Sequence, residues 1–239
     1  MRTLKGNSAL ITGGTKGIGY GIAESMLKEG MNVAITGRSK ENIDVAVAKL
    51  TGHGKGEVLG FVSDVRNLSS LEQVVESITQ KWGKLDVLIA NAGVGHFGSV
   101  MEMSAEVWQE TMDINLTGVF NSCKACIPAL KETKGYIITI ASLAGTNFFA
   151  GGSAYNASKF GLVGFTQAMM LDLRHEGINV STIMPGSVAT YFNDHSPNDQ
   201  DAWKIQIEDL GQMVVDVLKL DPRTLPSKIE VRPSKPPKK

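Results

Sequence analysis

Cysteine, net charge and long apolar runs are all scarce in this sequence, and each shortage excludes a class of protein. Lysine plus arginine balances aspartate plus glutamate at 24 each, so no net field recruits nucleic acid or an anionic membrane. No stretch approaches the ~20 consecutive apolar residues of a membrane helix, and the amino terminus lacks the apolar core of a signal peptide. We therefore expect one cytoplasmic domain spanning residues 1–239, with no nucleic-acid or membrane partner.

The two cysteines, Cys123 and Cys126, form a C-x-x-C pattern with Lys124 between them. A redox pair of this kind needs a thiol at the N-terminus of a helix beside a strand. These cysteines fall well inside a predicted long helix, so we predict buried or half-buried reduced thiols. We expect neither a disulfide nor a bound metal.

What the sequence has in quantity is glycine, at 26 residues, and an alternation of short apolar runs with amphipathic stretches. Near-continuous apolar strands separated by helices are typical of a parallel sheet covered on both faces. We predict a single α/β doubly wound domain with a mostly parallel sheet, and a flexible Lys/Pro-rich tail at 233–239. The predicted strands cover residues 8–12, 32–36, 59–63, 85–90, 136–141 and 180–183, with a last candidate at 228–232. The predicted helices cover residues 18–29, 41–50, 71–82, 105–130, 154–175 and 208–220.

The first predicted strand runs into a glycine-rich turn, Thr12-Gly13-Gly14-Thr15-Lys16-Gly17-Ile18-Gly19. Gly13 allows a tight turn, Gly17 lets the backbone approach a pyrophosphate, and Gly19 lets the helix pack on the strand. The helix that follows presents free N–H groups and the positive end of its dipole to phosphates. The spacing is G-x-x-x-G-x-G rather than G-x-G-x-x-G, but its position after the first strand predicts a dinucleotide site. Its predicted contacts are Gly13, Thr15, Lys16, Gly17, Ile18 and Gly19.

The end of the second predicted strand indicates which dinucleotide is bound. NAD sites place an acidic residue there, which binds the ribose 2′-hydroxyl. Here the strand ends Thr36-Gly37-Arg38, and a guanidinium suits a 2′-phosphate, with Lys16 as a second positive charge. We therefore predict NADP(H). The alternative is that Arg38 stacks on adenine, which NAD sites also tolerate.

Tyr155 and Lys159 lie four residues apart within a predicted helix. Side chains at this spacing share one face of a helix. An ammonium beside a phenol favours the phenolate, so we expect Lys159 to lower the pKa of Tyr155 from its usual value of about 10. A phenol tuned in this way can act as a general acid or base.

Together these residues resemble those of the classical short-chain dehydrogenases/reductases, a family built on a Rossmann-type scaffold. The resemblance covers about residues 5–190. Asp64 and Val65 look like the family's adenine-contacting pair. Asn91-Ala92-Gly93 is similar to its N-A-G motif, with Ala90 where an asparagine usually comes first. The remaining matches are Asn115, Ser142, Tyr155 and Lys159 as the catalytic tetrad, and Pro185, Gly186, Val188 and Thr190 as the loop beside the nicotinamide.

The resemblance implies a role for each member of the tetrad. Tyr155 would donate a proton to the carbonyl oxygen of the substrate in reduction. Lys159 would hydrogen-bond the nicotinamide ribose and lower the pKa of Tyr155, and Ser142 would hold the same carbonyl oxygen. Asn115 would kink its helix and hold a water that links Lys159 to bulk solvent.

Substrate contacts are expected in the loops at the carboxyl ends of the strands, where open α/β sheets bind ligands. Aromatic walls there suit an apolar or flat carbonyl compound. For Phe148 and Phe149 the alternative is a role as loop anchors, and for His96 it is a polar loop residue without a task. The candidates are His96, Phe97, Phe148, Phe149, Tyr191, Phe192 and Trp203.

The carboxyl-terminal part departs from the commonest pattern of the family. A short stretch follows Thr190 where many relatives have a longer helical lid, and the sequence ends without the V-D-G-G-like tail that packs in tetramers. This weakens a tetramer and suggests an open substrate cleft. A dimer through the helices at 105–130 and 154–175 fits the family's habit. We expect a homodimer or a homotetramer.

Three functions are compatible with these features. The first is an NADP(H)-dependent reductase of an aldehyde, ketone or 3-oxo compound. The second is a 3-oxoacyl-(acyl-carrier-protein) reductase, which predicts a basic docking patch that Lys124, Lys131 and Lys134 could form. The third is a nonenzymatic NADP(H)-binding regulator, which the complete tetrad opposes.

Overall fold

The computed structural model of the protein describes residues 3–237. Within this range seven strands form one parallel sheet in the order β3-β2-β1-β4-β5-β6-β7. This arrangement confirms the prediction of an α/β doubly wound fold. The strands are β1 (Ser8–Ile11), β2 (Asn32–Gly37), β3 (Val58–Val62), β4 (Val87–Ala90), β5 (Tyr136–Ile140), β6 (Asn179–Pro185) and β7 (Lys228–Val231).

Helices connect the successive strands, as parallel pairing requires. Several begin at a side-chain cap: Ser39 accepts a hydrogen bond from the Asn42 amide, and Ser104 accepts one from the Val107 amide. The helices are α1 (Gly17–Lys28), α2 (Lys40–Leu50), α3 (Leu68–Trp82), α4 (Ala105–Met112), α5 (Gly118–Thr133), α6 (Ser153–Leu173) and α7 (Ile207–Lys219).

The sheet separates two apolar layers, and β1 shows how alternation along a strand supplies both. Ala9 and Ile11 point into the layer formed with α1, α2 and α7, whereas Leu10 points into the layer formed with α3, α5 and α6. Leu10 and Ile11 are fully buried. Burial on both faces explains why the central strands read as near-continuous apolar runs.

The order of the strands reverses at β1, which pairs with β2 on one side and β4 on the other. The connections that leave β1 and β4 therefore diverge to opposite faces of the sheet. Such a switch point opens a crevice at the carboxyl ends of the strands. The glycine-rich turn after β1 and Asn91-Ala92-Gly93 after β4 both lie at this edge.

The helix predicted over residues 105–130 is interrupted. A π-helical segment, Asp113–Thr117, separates α4 from α5 and contains Asn115.

The two cysteines lie inside α5, and both are buried with free thiols. Burial raises the pKa of the Cys123 thiol to about 12 and holds that of Cys126 well above its ordinary value. Thiols that stay protonated in an apolar layer act as small packing groups.

The last predicted strand is present as β7, which pairs in parallel with β6. Among residues 3–237, none of the helices combines the length and apolar character needed to cross a membrane. A single domain over 1–239 and a flexible tail at 233–239 remain predictions. Residues 238 and 239 of that tail lie outside the described range.

Candidate active site

A cleft of about 770 Å³ opens at the carboxyl edge of the sheet. Most of the residues predicted to bind a cofactor or substrate line it, although they come from separate loops along the chain. Those in its wall are Gly13, Thr15, Lys16, Gly17, Ile18, Arg38, Asp64, Val65, Asn91, Ala92, Gly93, His96, Phe97, Ser142, Tyr155, Lys159, Pro185, Gly186, Val188, Thr190, Tyr191 and Phe192.

Other predicted site residues lie outside this wall. Gly19 lies beneath the glycine-rich turn, where a Cβ would come within 2.5 Å of the Gly13 carbonyl oxygen. Asn115 is fully buried behind the cleft. Phe148 is 86% exposed, and Phe149 contacts the cleft residue Phe97 instead of the cavity.

The glycine-rich turn is braced by the segment that follows β4. Gly13 adopts a φ of 68°, and a Cβ there would come within 2.9 Å of the Ala92 Cα. The side-chain Nδ2 of Asn91 donates to the backbone carbonyl oxygens of Thr12 and Gly13 at 3.0 and 2.9 Å. The Thr12 hydroxyl accepts hydrogen bonds from the backbone amides of Asn91 and Ala92. The N-A-G segment thus holds the turn in place from the side of β4.

The N-terminus of α1 is available to an anion. Lys16 occupies the capping position in an extended conformation, and within the described chain no side chain caps this helix or places an acid in its first turn. Free N–H groups and the positive end of the helix dipole therefore face the cleft. These features fit the pyrophosphate of a dinucleotide.

The charges at the β2 end of the cleft favour a further anion. Arg38 follows β2 directly, and it is exposed in the cleft wall. The Asp64 carboxylate is engaged by Arg66, whose Nη2 lies 2.5 Å from Asp64 Oδ2. That contact is the main cause of the lowered pKa of Asp64, and the nearby charge of Arg38 adds to it, so the carboxylate stays ionised. Lys16 lies over the Tyr191 ring, with its Nζ 5.8 Å from the ring centroid.

Ser142, Tyr155 and Lys159 meet between β5 and α6. Ser142 follows β5 and accepts a hydrogen bond from the Ala144 amide at 3.1 Å. Tyr155 and Lys159 lie one turn apart on α6, with the lysine Nζ 5.7 Å from the tyrosine ring centroid. The same Nζ donates to the Ile140 carbonyl oxygen at 3.2 Å. Tyr155 is 9% exposed and Lys159 is 5% exposed.

The expectation that Lys159 lowers the pKa of Tyr155 is wrong for the chain by itself. Burial raises the pKa of Tyr155, and a hydrogen bond with Ser142 opposes this without reversing it. Burial also lowers the pKa of Lys159 to about 8. Both groups have lost water, and that loss disfavours the charged form of each.

Asn115 joins three elements through its side-chain amide. Its Oδ1 accepts from the Val94 amide at 2.8 Å, and its Nδ2 donates to the Val94 carbonyl oxygen at 2.9 Å and to Ser158 Oγ at 3.1 Å. The loop after β4 and helix α6 are thereby held to the π-helical segment. The helix distortion expected at Asn115 is present, and its link to a water remains a prediction.

An aromatic cluster covers the Tyr155 ring. Phe97 lies edge-on to Tyr155 with ring centroids 5.3 Å apart, and Phe192 lies 5.8 Å from Tyr155 on another side. Phe149 packs on Phe97 at 5.8 Å. Gly95 leaves room for Phe192, because a Cβ at this glycine would come within 2.3 Å of that ring. The result is an apolar environment around the phenol.

The structure differs from the predicted substrate contacts at four residues: two that were predicted, His96 and Trp203, and two that were not, His195 and Lys204. His96 lines the cleft, but its Nε2 lies 3.2 Å from the Glu110 carboxylate on α4. The Trp203 ring is not part of the cavity wall; it lies under the Lys204 ammonium, whose Nζ is 5.9 Å from the ring centroid. His195 and Lys204 line the cleft although sequence reasoning missed them. Both lie in a stretch that reads only as a polar loop.

Comparison with known proteins places the chain in a family. Residues 7–201 match the sequence pattern described as short chain dehydrogenase. The chain belongs to the short-chain dehydrogenase/reductase family, and its sheet is the Rossmann-type fold of that family. It is an oxidoreductase with a site for a nicotinamide cofactor.

One relative and two solved structures illustrate the likeness. The 3-oxoacyl-[acyl-carrier-protein] reductase FabG of Vibrio cholerae is 36% identical over 78% of this chain and 75% of its own. An alcohol dehydrogenase from the archaeon Thermococcus sibiricus, complexed with 5-hydroxy-NADP, superposes with a TM-score of 0.90 at 26% identity, covering 98% of this chain and 99% of its own. A 3-ketoacyl-(acyl-carrier-protein) reductase from Brucella melitensis, complexed with NADH, superposes with a TM-score of 0.87 at 24% identity. The superposition covers 97% of this chain and 98% of the Brucella protein, and it shows the shared fold.

Proposed function

We propose that the protein is an NADP(H)-dependent reductase of aldehydes, ketones or 3-oxo compounds. The observation that carries the proposal is the distribution of groups along one cleft. Arg38 follows β2 at one end of the cleft, and Ser142 and Tyr155 follow β5 at the other end. Two strands, β1 and β4, lie between β2 and β5 in the sheet. Three strand spacings of ~4.8 Å give about 14 Å, which suits a dinucleotide stretched across the sheet. The phosphate-binding N-terminus of α1 lies between these ends.

Tyr155 is the general acid of this reaction. Its phenol donates a proton to the carbonyl oxygen of the substrate, while the Ser142 hydroxyl donates a hydrogen bond to the same oxygen. The nicotinamide, when bound, supplies the hydride. Because burial raises the pKa of Tyr155, the phenol is protonated at neutral pH and has a proton to donate.

Lys159 holds the nicotinamide ribose through its ammonium. The lysine is buried beside the phenol and is oriented by the Ile140 carbonyl oxygen. Asn115 keeps α6 and the loop after β4 in register with this group. Asp64, Val65, Asn91, Ala92 and Gly93 form the adenine and ribose side of the site, and Pro185, Gly186, Val188 and Thr190 form the nicotinamide side.

Arg38 selects NADP(H) over NAD(H). It occupies the end of β2, where an acid would bind an unmodified ribose, and its guanidinium suits a 2′-phosphate. The hydrogen bonds of Asp64 go to Arg66, which is consistent with an Arg38 guanidinium left to bind a 2′-phosphate. The 5-hydroxy-NADP bound to the archaeal relative is consistent with it.

The substrate is apolar or flat close to its carbonyl group. Phe97 and Phe192 cover Tyr155, and Tyr191 lines the cleft beside them. A ring or a branched apolar group would replace these aromatic contacts as it approaches the phenol. His96 lines the same cleft, with its Nε2 3.2 Å from the Glu110 carboxylate, and we assign it a part in the shape of the pocket.

Reduction of a 3-oxoacyl thioester is the second candidate, and the likeness to the Vibrio cholerae reductase favours it. This function requires a basic docking patch for an acidic carrier protein. Lys131 is weak support for such a patch, because its Nζ is paired with Glu176 at 2.7 Å. Lys124 and Lys134 remain as candidates on α5 and directly after it.

The test is oxidation of NADPH and of NADH by the purified protein with a panel of carbonyl compounds. The panel holds simple aldehydes, diketones, cyclic and aryl ketones and a 3-oxoacyl thioester. We expect turnover of an apolar ketone or aldehyde with NADPH, at a kcat/KM at least about tenfold above that with NADH. Fast reduction of the thioester alone would favour the second candidate.

The Arg38→Asp variant is the matched arm of this experiment. A carboxylate at the end of β2 repels a 2′-phosphate and accepts a hydrogen bond from a 2′-hydroxyl, so the preference should move towards NADH. If the ratio of kcat/KM with NADPH to kcat/KM with NADH were the same in the variant and the wild type, Arg38 would not bind the 2′-phosphate. Tight NADPH binding without turnover across the panel would instead support the nonenzymatic regulator.

A further inference from the structure

The segment between β6 and α7 folds back on itself beside the cleft. Its base is closed by two backbone hydrogen bonds, from the Ala189 amide to the Ile205 carbonyl oxygen at 2.9 Å and from the Ile205 amide to the Ser187 carbonyl oxygen at 3.1 Å. We call residues 190–204 the lid. Tyr191, His195 and Lys204 of the lid line the cleft wall.

A buried carboxylate lies at the centre of the lid. Asp201 is 5% exposed. It accepts from Lys204 Nζ at 2.5 Å, from His195 Nε2 at 2.5 Å and from the Asn198 amide at 3.2 Å. All three donors belong to the lid, so the Asp201 side chain links the part of the lid that precedes it to the part that follows it.

These contacts keep Asp201 ionised. The hydrogen bond from Lys204 and then that from His195 hold the pKa of the carboxyl at about 2. A buried carboxylate needs such partners, since removal from water without them is costly. The backbone adds to the arrangement, because the Lys204 amide donates to the Asp201 carbonyl oxygen at 2.9 Å.

The conformation of the lid decides how Tyr155 is covered. Phe192 belongs to the lid, and its ring lies 5.8 Å from that of Tyr155 and 6.5 Å from that of Phe97. The same ring fills the space that Gly95 leaves open. A lid that opens would carry Phe192 away from the phenol and widen the cleft beside Tyr191.

We propose that Asp201 is a positioning residue of the reductase: by gathering His195, Lys204 and the Asn198 amide, it holds the lid closed over Tyr155 and sets how tightly the carbonyl substrate is held. The proposal rests on the reductase function proposed above. The segment reads in sequence as a polar loop, and Asp201 acts there through its partners rather than by touching the reacting atoms.

The test compares Asp201→Asn with Asp199→Asn. Asp199 is an exposed carboxylate in the same turn, which makes it a matched control. The asparagine keeps the shape of Asp201 but turns an NH₂ group towards donors. We expect Asp201→Asn to raise KM for the carbonyl substrate by about fivefold or more, with the Kd for NADPH within about twofold of wild type. Asp199→Asn should match wild type in both.

Hydrogen exchange of peptides covering residues 190–206 provides a readout that needs no turnover. We expect faster exchange in Asp201→Asn than in wild type, and none of this acceleration in Asp199→Asn. Lys204→Gln, which removes the positive charge of one donor and leaves the carboxylate, should accelerate exchange to a smaller extent. It provides the comparison if Asp201→Asn does not fold.

Two results would overturn the proposal. One is equal lid exchange in Asp201→Asn, Lys204→Gln and wild type. The other is faster exchange in Asp201→Asn with KM unchanged, which would make Asp201 a structural residue without a part in substrate binding. A wild-type protein that turns over nothing would instead count against the reductase function, and the exchange comparison would still decide whether Asp201 closes the lid.

Discussion

The Lys159 side chain is 5% exposed, and its ammonium donates to the Ile140 carbonyl oxygen rather than to a carboxylate. Burial lowers its pKa to about 8, whereas burial raises the pKa of Tyr155. The two groups are therefore tuned more by the loss of water than by each other. Near neutral pH the lysine carries its charge and the phenol keeps its proton, which is the pairing that reduction requires.

The lowered pKa of Lys159 predicts how cofactor binding depends on pH. The lysine is protonated below about pH 8 and becomes neutral above it, so the charge-assisted hydrogen bond proposed between Lys159 and the ribose should be lost as the pH rises. We expect the Kd for NADPH to increase as the pH passes through about 8. Fluorescence titration between about pH 7 and 9.5 measures this. Lys159→Met should bind more weakly throughout without this inflection, and a flat wild-type profile would contradict the assignment.

At the scale of elements, the π-helical segment Asp113–Thr117 is the feature that organises the site. It turns Asn115 towards Val94 on one side and Ser158 on the other, at separations of 21 and 43 residues. Its stability comes from these tertiary contacts rather than from its own sequence. The loop after β4 and helix α6 depend on it for their relative position.

Asn115→Ala should therefore destabilise the protein. The substitution leaves the Val94 amide and carbonyl without their partner, which costs about 2 kcal/mol in the free energy of unfolding. Urea denaturation measures the change. Asn42→Ala, at an exposed position of α2, should change it by less than about 0.5 kcal/mol. Equal changes in the free energy of unfolding for the two variants would show that the hydrogen bonds of Asn115 do not stabilise the fold.

The elements that could be predicted from the sequence are those with a local cause. The strands β1, β2 and β4 were predictable from their apolar runs, and the turn around Gly13 from its glycine spacing. The break at Asn115 was expected only from the family resemblance, and the centre of the lid at Asp201 was not predicted, because each depends on partners that come together only in the fold. The raised pKa of Tyr155 has the same origin, since burial cannot be read from the spacing of two residues.

At the scale of the whole molecule, α5 and α6 leave large apolar side chains on their outer faces. Phe120 is 47% exposed, Phe160 44% and Leu171 50%. The Phe120 ring packs on Phe165 of α6 at 6.1 Å, which joins the two helices into one surface. Apolar surface of this kind is typical of an interface, and these helices are the ones expected to pair in a homodimer or homotetramer.

Phe120→Asp should disrupt that assembly. A carboxylate at the centre of an apolar interface is buried without a partner, so the variant should sediment as a smaller species than the wild type. Phe148→Asp places the same charge in the loop between β5 and α6, at a residue that is 86% exposed, and should leave the mass unchanged. A monomeric wild type, or no change in Phe120→Asp, would contradict the pairing of these helices.

The central claim is that Tyr155 donates the proton while bound nicotinamide supplies the hydride. The most direct test is a single turnover of enzyme preloaded with NADPH, mixed with the best carbonyl compound from the panel and followed by NADPH fluorescence. Tyr155→Phe should bind NADPH within about twofold of wild type and oxidise it at least about 10³-fold more slowly. A variant rate within about tenfold of wild type would show that another group supplies the proton.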